Sequence, residues 1–197
     1  LNSCRSPQAI HREIFVESPI PNPTAVFRRE ALQQLGGYAD PDWPEDYDLF
    51  LRADAQGMRM GKPSAILLRW RDHDQRLTRN AGRYDLERFQ AAKALFLARG
   101  RLSGESSILI WGAGPSGQLT HDLLVAEGVK VDGFLEIHPR RIGGQKRGLP
   151  VWHFEDLEKR PDEFVLVAVG APGARQEIRS YLQKIDRTEG EDYLFVA

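Results

Sequence analysis

The chain has 197 residues, with 27 Lys and Arg against 28 Asp and Glu, a formal net charge of −1 and a single cysteine. That length admits one large domain or two small ones, and the balanced charge argues against a dedicated nucleic-acid binder. Cys4 alone cannot form an internal disulfide and fits a reducing compartment, and no apolar run approaches the roughly 20 residues that span a bilayer.

The front of the chain, from "HREIFVESPIPNP", reads as extended, because Pro19, Pro21 and Pro23 lack an N–H and disfavour helix before them. "RREALQQL" is a short helix that stops at Gly36-Gly37. "YADPDWP" is a loop, and a second helix runs from Glu45 to Gln56 with Leu49, Phe50 and Ala53 inward and Gly57 as its stop. "SAILLRW" reads as a strand and "RDHDQRLTRNAG" as a charged loop. "RYDLERFQAAKALFLARG" has the clearest helical period, with Leu86, Phe89, Ala92 and Phe96 on one face.

"RLSGESS" is a polar linker, which places a domain boundary at 103/104. Charge supports it: 16 basic and 13 acidic residues precede the boundary and 11 and 15 follow, or +3 against −4. Beyond the linker, strands and helices alternate. "SILIW", "VKVDGFLEI", "LPVW", "EFVLVAVG" and "DYLFVA" are strands, with helices over 116–127 and "APGARQEIRSYLQKI" and a helical turn at "FEDLEKR". This is the pattern of an α/β fold, a small Rossmann-like parallel sheet in the order 3-2-1-4-5.

The first strand runs into "WGAGPSGQL", a Gly-x-Gly-x-x-Gly turn that opens a helix. Gly112 permits the tight turn, Gly114 lets backbone approach a ligand and Gly117 lets helix and sheet pack closely. The helix N-terminus offers unpaired N–H groups to a phosphate. Glu136 ends the second strand at the position of a ribose-binding acid, and Arg175, in the loop after the fourth strand, faces the same switch-point crevice. The same glycines also suffice to make a strand–helix turn with nothing bound. A dehydrogenase needs a substrate domain that the sheet itself does not supply.

Residues 106–197 resemble the small Rossmann-like domains attached to bacterial glycan-assembly enzymes. They also resemble the nucleotide-sugar-binding N-terminal domain of sugar acyltransferases, carried by "GFLEIHPRRIGGQKRGLPVWHFEDL" and "FVLVAVGAPGAR". The resemblance implies a nucleotide or nucleotide-sugar ligand at Gly112, Gly114, Gly117 and Glu136. The acyltransferases' β-helix is absent, so their reaction is not implied.

Residues 17–79, through "NPTAVFRREALQQLGGYADPDWPEDYDLFLRADAQG" and "RWRDHDQRLTR", resemble the acceptor-side end of family 2 glycosyltransferases of the GT-A type. The pattern is "FRRE", a helix, "GGY", then a Glu-Asp pair opening a helix that continues Leu-x-x-Arg. On that resemblance 1–103 is a mostly helical, partial GT-A segment, Asp46 is the general base of an inverting transfer and Glu45 stands beside it. On spacing alone, the pair simply complements a helix dipole. His73, with Arg71 or Arg76, would approach a metal or leaving diphosphate. With no second ligand alongside, His73 is no metal site.

The donor half of such an enzyme, with its Asp-x-Asp and divalent Mg or Mn, does not precede residue 17, and the chain begins at Leu1 with methionines only at 58 and 60. The expectation is therefore a C-terminal transferase fragment, inactive alone. Its parent would use a nucleotide-sugar donor and a glycan or lipid-linked acceptor, with no nucleic acid. Self-association through an exposed face, and a cytoplasmic place peripheral to the inner membrane, complete that expectation. The alternatives are a non-catalytic nucleotide-binding or partner-docking module and a small NAD(P)-dependent oxidoreductase.

Overall fold

The structure is a computed structural model that describes residues 4–69 and 82–197. The chain divides into two compact units, Leu1–Phe96 and Leu97–Ala197.

The first unit contains helices α1 (Pro7–Glu13), α2 (Arg29–Gln34), α3 (Glu45–Ala55) and most of α4 (Leu86–Arg99). Helix α1 runs into the segment that the sequence reads as extended, over residues 11–13. Ser6 caps it by accepting from the Ala9 N–H at 3.1 Å, and Pro7, which needs no intrahelical donor, takes its first position. Ile10, Ile14, Tyr47, Leu49, Phe50 and Leu51 are buried in this unit. The buried Tyr47 hydroxyl donates to the Ile14 carbonyl at 2.6 Å, and the Lys93 ammonium donates to the Val16 carbonyl at 2.8 Å.

Arg52 explains much of the local sequence pattern. From α3 it pairs with Asp48 one turn back at 2.7 Å, donates to the Gly37 carbonyl at 2.9 Å and also donates to the Leu35 carbonyl. Those two carbonyls lie at the end of α2, where Gly36 and Gly37 turn the chain through φ of +77° and +71°. The planar guanidinium thus closes the helix end that the glycines open.

Two expectations change here. Residues 64–69 form no strand, and Ile66, Leu67 and Leu68 are exposed, because the segment finds no neighbouring strand among the described residues. Leu86 is exposed rather than inward, since α4 begins there, and the buried face starts further along at Ala92.

The second unit is a six-stranded sheet of β1 (Ile108–Trp111), β2 (Val131–Glu136), β3 (Gln145–Lys146), β4 (Leu149–His153), β5 (Phe164–Val167) and β6 (Tyr193–Phe195). The spatial order is β3-β4-β2-β1-β5-β6, with β3 antiparallel to β4 and every other pairing parallel. Counting the parallel strands alone, this is the expected 3-2-1-4-5 Rossmann-like order, with one short hairpin strand added at the edge. β1 and β5 are buried along their whole length, as central parallel strands covered on both faces must be. Helices α5 (Pro115–Ala126) and α6 (Ala174–Lys184) follow β1 and β5.

Candidate functional site

In an open parallel sheet the ligand crevice lies beyond the carboxyl ends of the strands where the chain order reverses, here between β1 and its neighbours β2 and β5. The loop leaving β1 is held tightly. The Gly112 N–H donates to the Leu135 carbonyl of β2 at 2.8 Å, and the Ala168 N–H after β5 donates to the Trp111 carbonyl at 2.9 Å. Gly112 turns through φ of +114°, and a Cβ there would meet Val169 Cγ2 at 3.0 Å and the Ala168 carbonyl at 3.2 Å. Gly117, in the first turn of α5, presses on the Gly112 carbonyl so closely that a Cβ would lie 1.7 Å from its oxygen. The two glycines bring helix and strand together, as their spacing implies.

Gly114 is the N-cap of α5 and supplies no side-chain cap. Gln118 secures the turn by donating from Nε2 to the Ala113 carbonyl at 3.1 Å. The first-turn N–H groups of α5 therefore point out of the carboxyl edge without a capping side chain from their own N-cap residue.

Glu136 is buried at the end of β2 and fully engaged. Its Oε1 accepts from the Ile137 and His138 N–H groups at 2.9 and 3.1 Å. Its Oε2 accepts from the Ala113 N–H at 3.3 Å and from Arg141 Nη1 at 2.9 Å. Burial pushes the carboxyl's pKa up, but the Arg141 bond and the N–H groups of His138, Ile137 and Ala113 outweigh it and hold the group below the usual glutamate value. Arg141 is half-exposed, and its Nη1 lies 3.5 Å from where a Cβ of Gly114 would stand. A guanidinium thus sits over the middle glycine of the turn. Sequence reasoning passed over it. The signal was the basic pair in "PRRIGG", a few residues beyond the acid. Arg175 lies in the first turn of α6, which starts from Gly173 in the left-handed region after β5.

The acidic pair of the first unit opens α3. Asp46 Oδ1 accepts from the Tyr47 N–H at 2.8 Å, so the carboxylate serves the helix start that Pro44 leaves without a side-chain cap. Burial pushes the Asp46 pKa up, the Tyr47 N–H pulls it down and Glu45 adds a further upward push that leaves it raised. Glu45 accepts from the Tyr84 hydroxyl at 3.0 and 2.9 Å, and Arg83 Nη1 lies 3.6 Å away. Burial, together with that Glu45 contact, pushes the Tyr84 phenol up to about 12. His73, Arg71 and Arg76 lie outside the described residues. Among the described residues no cluster of His, Cys, Asp and Glu is arranged to hold a metal ion, and no helix is long and apolar enough to cross a membrane.

No protein family matches the sequence, and no curated protein does. Solved structures similar to it include RSP in complex with beta-NADH, at 19% identity over 53% of this chain and a TM-score of 0.36. This chain spans 60% of that one's length. RSP described as a Rex-family repressor is also similar, at 14% identity over 87% of each chain and a TM-score of 0.40. These neighbours are not glycosyltransferases, which overturns the family 2 resemblance and with it glycosyl transfer and polysaccharide biosynthesis. The nucleotide-sugar donor and the glycan or lipid-linked acceptor fall with that activity, and no step is assigned to Glu45 or Asp46. The exclusion of nucleic acid is also corrected, since one neighbour is a repressor.

Proposed function

We propose that the second unit is a non-catalytic nucleotide-binding module whose ligand lies across the β1–α5 turn at Gly112, Gly114 and Gly117. One observation carries the reading. The N-terminus of α5 lacks a side-chain cap, stands at the carboxyl edge of the central strand and has the Arg141 guanidinium over Gly114. Backbone N–H groups, the helix dipole and a fixed cation converging there suit the phosphates of a nucleotide. The loop after β5, pressed against Gly112, supplies the opposite wall, with Arg175 in the helix that follows.

Isothermal titration with UDP, UDP-sugars, ADP and NADH tests this. At least one of these binds the wild-type chain, and Gly114→Ala weakens that binding about tenfold. The alanine suits the backbone, since Gly114 has φ −79°, but its methyl would intrude where phosphate and Arg141 approach the turn. Silence across the whole panel, with a folded protein, refutes the reading.

A further inference from the structure

On the nucleotide-binding reading above, the hydrogen-bond partners of Glu136 and Arg141 decide which residue of this cleft touches the ligand. A carboxylate at the end of the second strand ordinarily takes the ribose hydroxyls of a dinucleotide. It must keep acceptor capacity free to do so, and a carboxylate has about four lone-pair sites. Glu136 already spends both oxygens inside the protein, on the N–H groups of Ile137, His138 and Ala113 and on Arg141. It is also buried, with 5% of its surface exposed.

Arg141 stands in the opposite condition. Its side chain is 42% exposed, and Nη1 reaches the space over Gly114. Glu136 is the acceptor it bonds among the described residues, which leaves most of the fork's N–H donors without a protein acceptor there. The segment that carries it is internally tied. The Arg141 N–H donates to the His138 carbonyl at 2.9 Å, and the Gly144 N–H donates to the Arg141 carbonyl at 3.2 Å. A guanidinium on a braced turn, aimed by a buried carboxylate, recognises phosphate oxygens with little ordering cost.

We propose that Arg141 is the ligand-contacting charge of this cleft, recognising a phosphate of the nucleotide, and that Glu136 is its positioning residue and not a ribose ligand. The module then selects by phosphate charge and is indifferent to the ribose 2′-hydroxyl. The phosphate it recognises is the diphosphate, over the turn at Gly114, and not a monoester on the ribose.

The experiment is calorimetry on the full chain with UDP, ADP, their 2′-deoxy forms, uridine, adenosine, NADH and NADPH. The 2′-deoxy diphosphates bind within twofold of their parents, and the nucleosides bind at least tenfold more weakly. Arg141→Met removes at least tenfold of the diphosphate affinity in a protein that remains folded at the titration temperature, and Arg141→Lys retains part of it. The expected result is that NADH and NADPH bind alike, since they share the bridging diphosphate. A wild-type preference for NADPH over NADH that Arg141→Met abolishes puts Arg141 on a ribose phosphate and overturns the proposal. Glu136→Gln weakens the diphosphates by threefold or more and leaves the nucleosides unchanged, whereas a merely loosened fold weakens both.

A tenfold loss on removing the 2′-hydroxyl, or an Arg141→Met protein that binds diphosphates as well as wild type, overturns the proposal while the nucleotide reading stands. Tighter diphosphate binding in Glu136→Gln overturns the role given to the carboxylate. Failure of every ligand removes the nucleotide reading and this inference with it.

Discussion

Replacing Gly117 by alanine asks whether the glycine turn is held by contact or only by backbone preference. Gly117 lies in the first turn of α5, and in an unconstrained helix interior the change stabilises by about 1 kcal/mol. Here the added methyl would stand 1.7 Å from the Gly112 oxygen, 2.9 Å from its carbonyl carbon and 3.4 Å from Ile110 Cγ2. Ordinary contact needs about 3.5 Å. The Gly112 carbonyl cannot swing aside freely, because the same residue's N–H is bonded to β2 at 2.8 Å. Forced overpacking costs about 1–3 kcal/mol, and a backbone clash this deep belongs at the upper end. Taking about 3 against the gain of about 1 leaves a loss of about 2 kcal/mol, or roughly 8–16 °C in melting temperature for a unit of this size. Thermal unfolding followed through the fluorescence of Trp111 and Trp152, both in the second unit, measures it. A melting temperature equal to or above wild type would refute the contact argument.

Two further predictions concern the first unit. Burial pushes the Lys93 ammonium down to about 8 from an ordinary 10.5, with Glu17 opposing. The unfolded chain therefore binds the extra proton between those values. Stability gains from this group as pH rises from 8 to 10.5, by about 3 kcal/mol relative to Lys93→Met, and the penalty is fully present below pH 8. Denaturation of both proteins across that window reads the difference, and parallel curves would contradict the burial argument. Arg52→Met strips the Leu35 and Gly37 carbonyls of their donor and leaves the buried Asp48 with Trp43 as its remaining side-chain donor among the described residues. It lowers stability by about 3 kcal/mol, seen as a shift in the urea midpoint, and Arg52→Lys recovers little because three acceptors need a fork.

The parallel sheet was legible because its strands are short apolar runs split by helices, and right-handed crossovers leave few orders to choose among. The β1–α5 turn was legible because close packing at Gly112 and Gly117 admits no side chain. What could not be read depends on partners distant in sequence. The segment 64–69 has the composition of a strand, yet a strand exists only when a neighbour pairs with it. Helix α1 is the exception: it went unread although its start signal, Ser6 followed by Pro7, is local, because that signal stands ahead of the proline-punctuated segment from which the chain was read. Arg141 stayed invisible because its meaning lies in the space above Gly114. The "GGY" and Leu-x-x-Arg pattern was legible as a pattern. Arg52 shows its local cause, the closing of a helix end, and a cause of that kind fixes a fold element without implying a reaction.

The strand order also sets a timetable. During synthesis β1 and the turn at Gly112 leave the ribosome ahead of both strands that flank them in the sheet. The wall that meets Gly112 arrives only once Ala168 and Val169 have been made, a delay on the order of seconds at ordinary elongation rates. A nascent chain halted before β5 thus displays the glycine turn with one side of its crevice missing, and small-molecule capture has to wait until translation has passed that point.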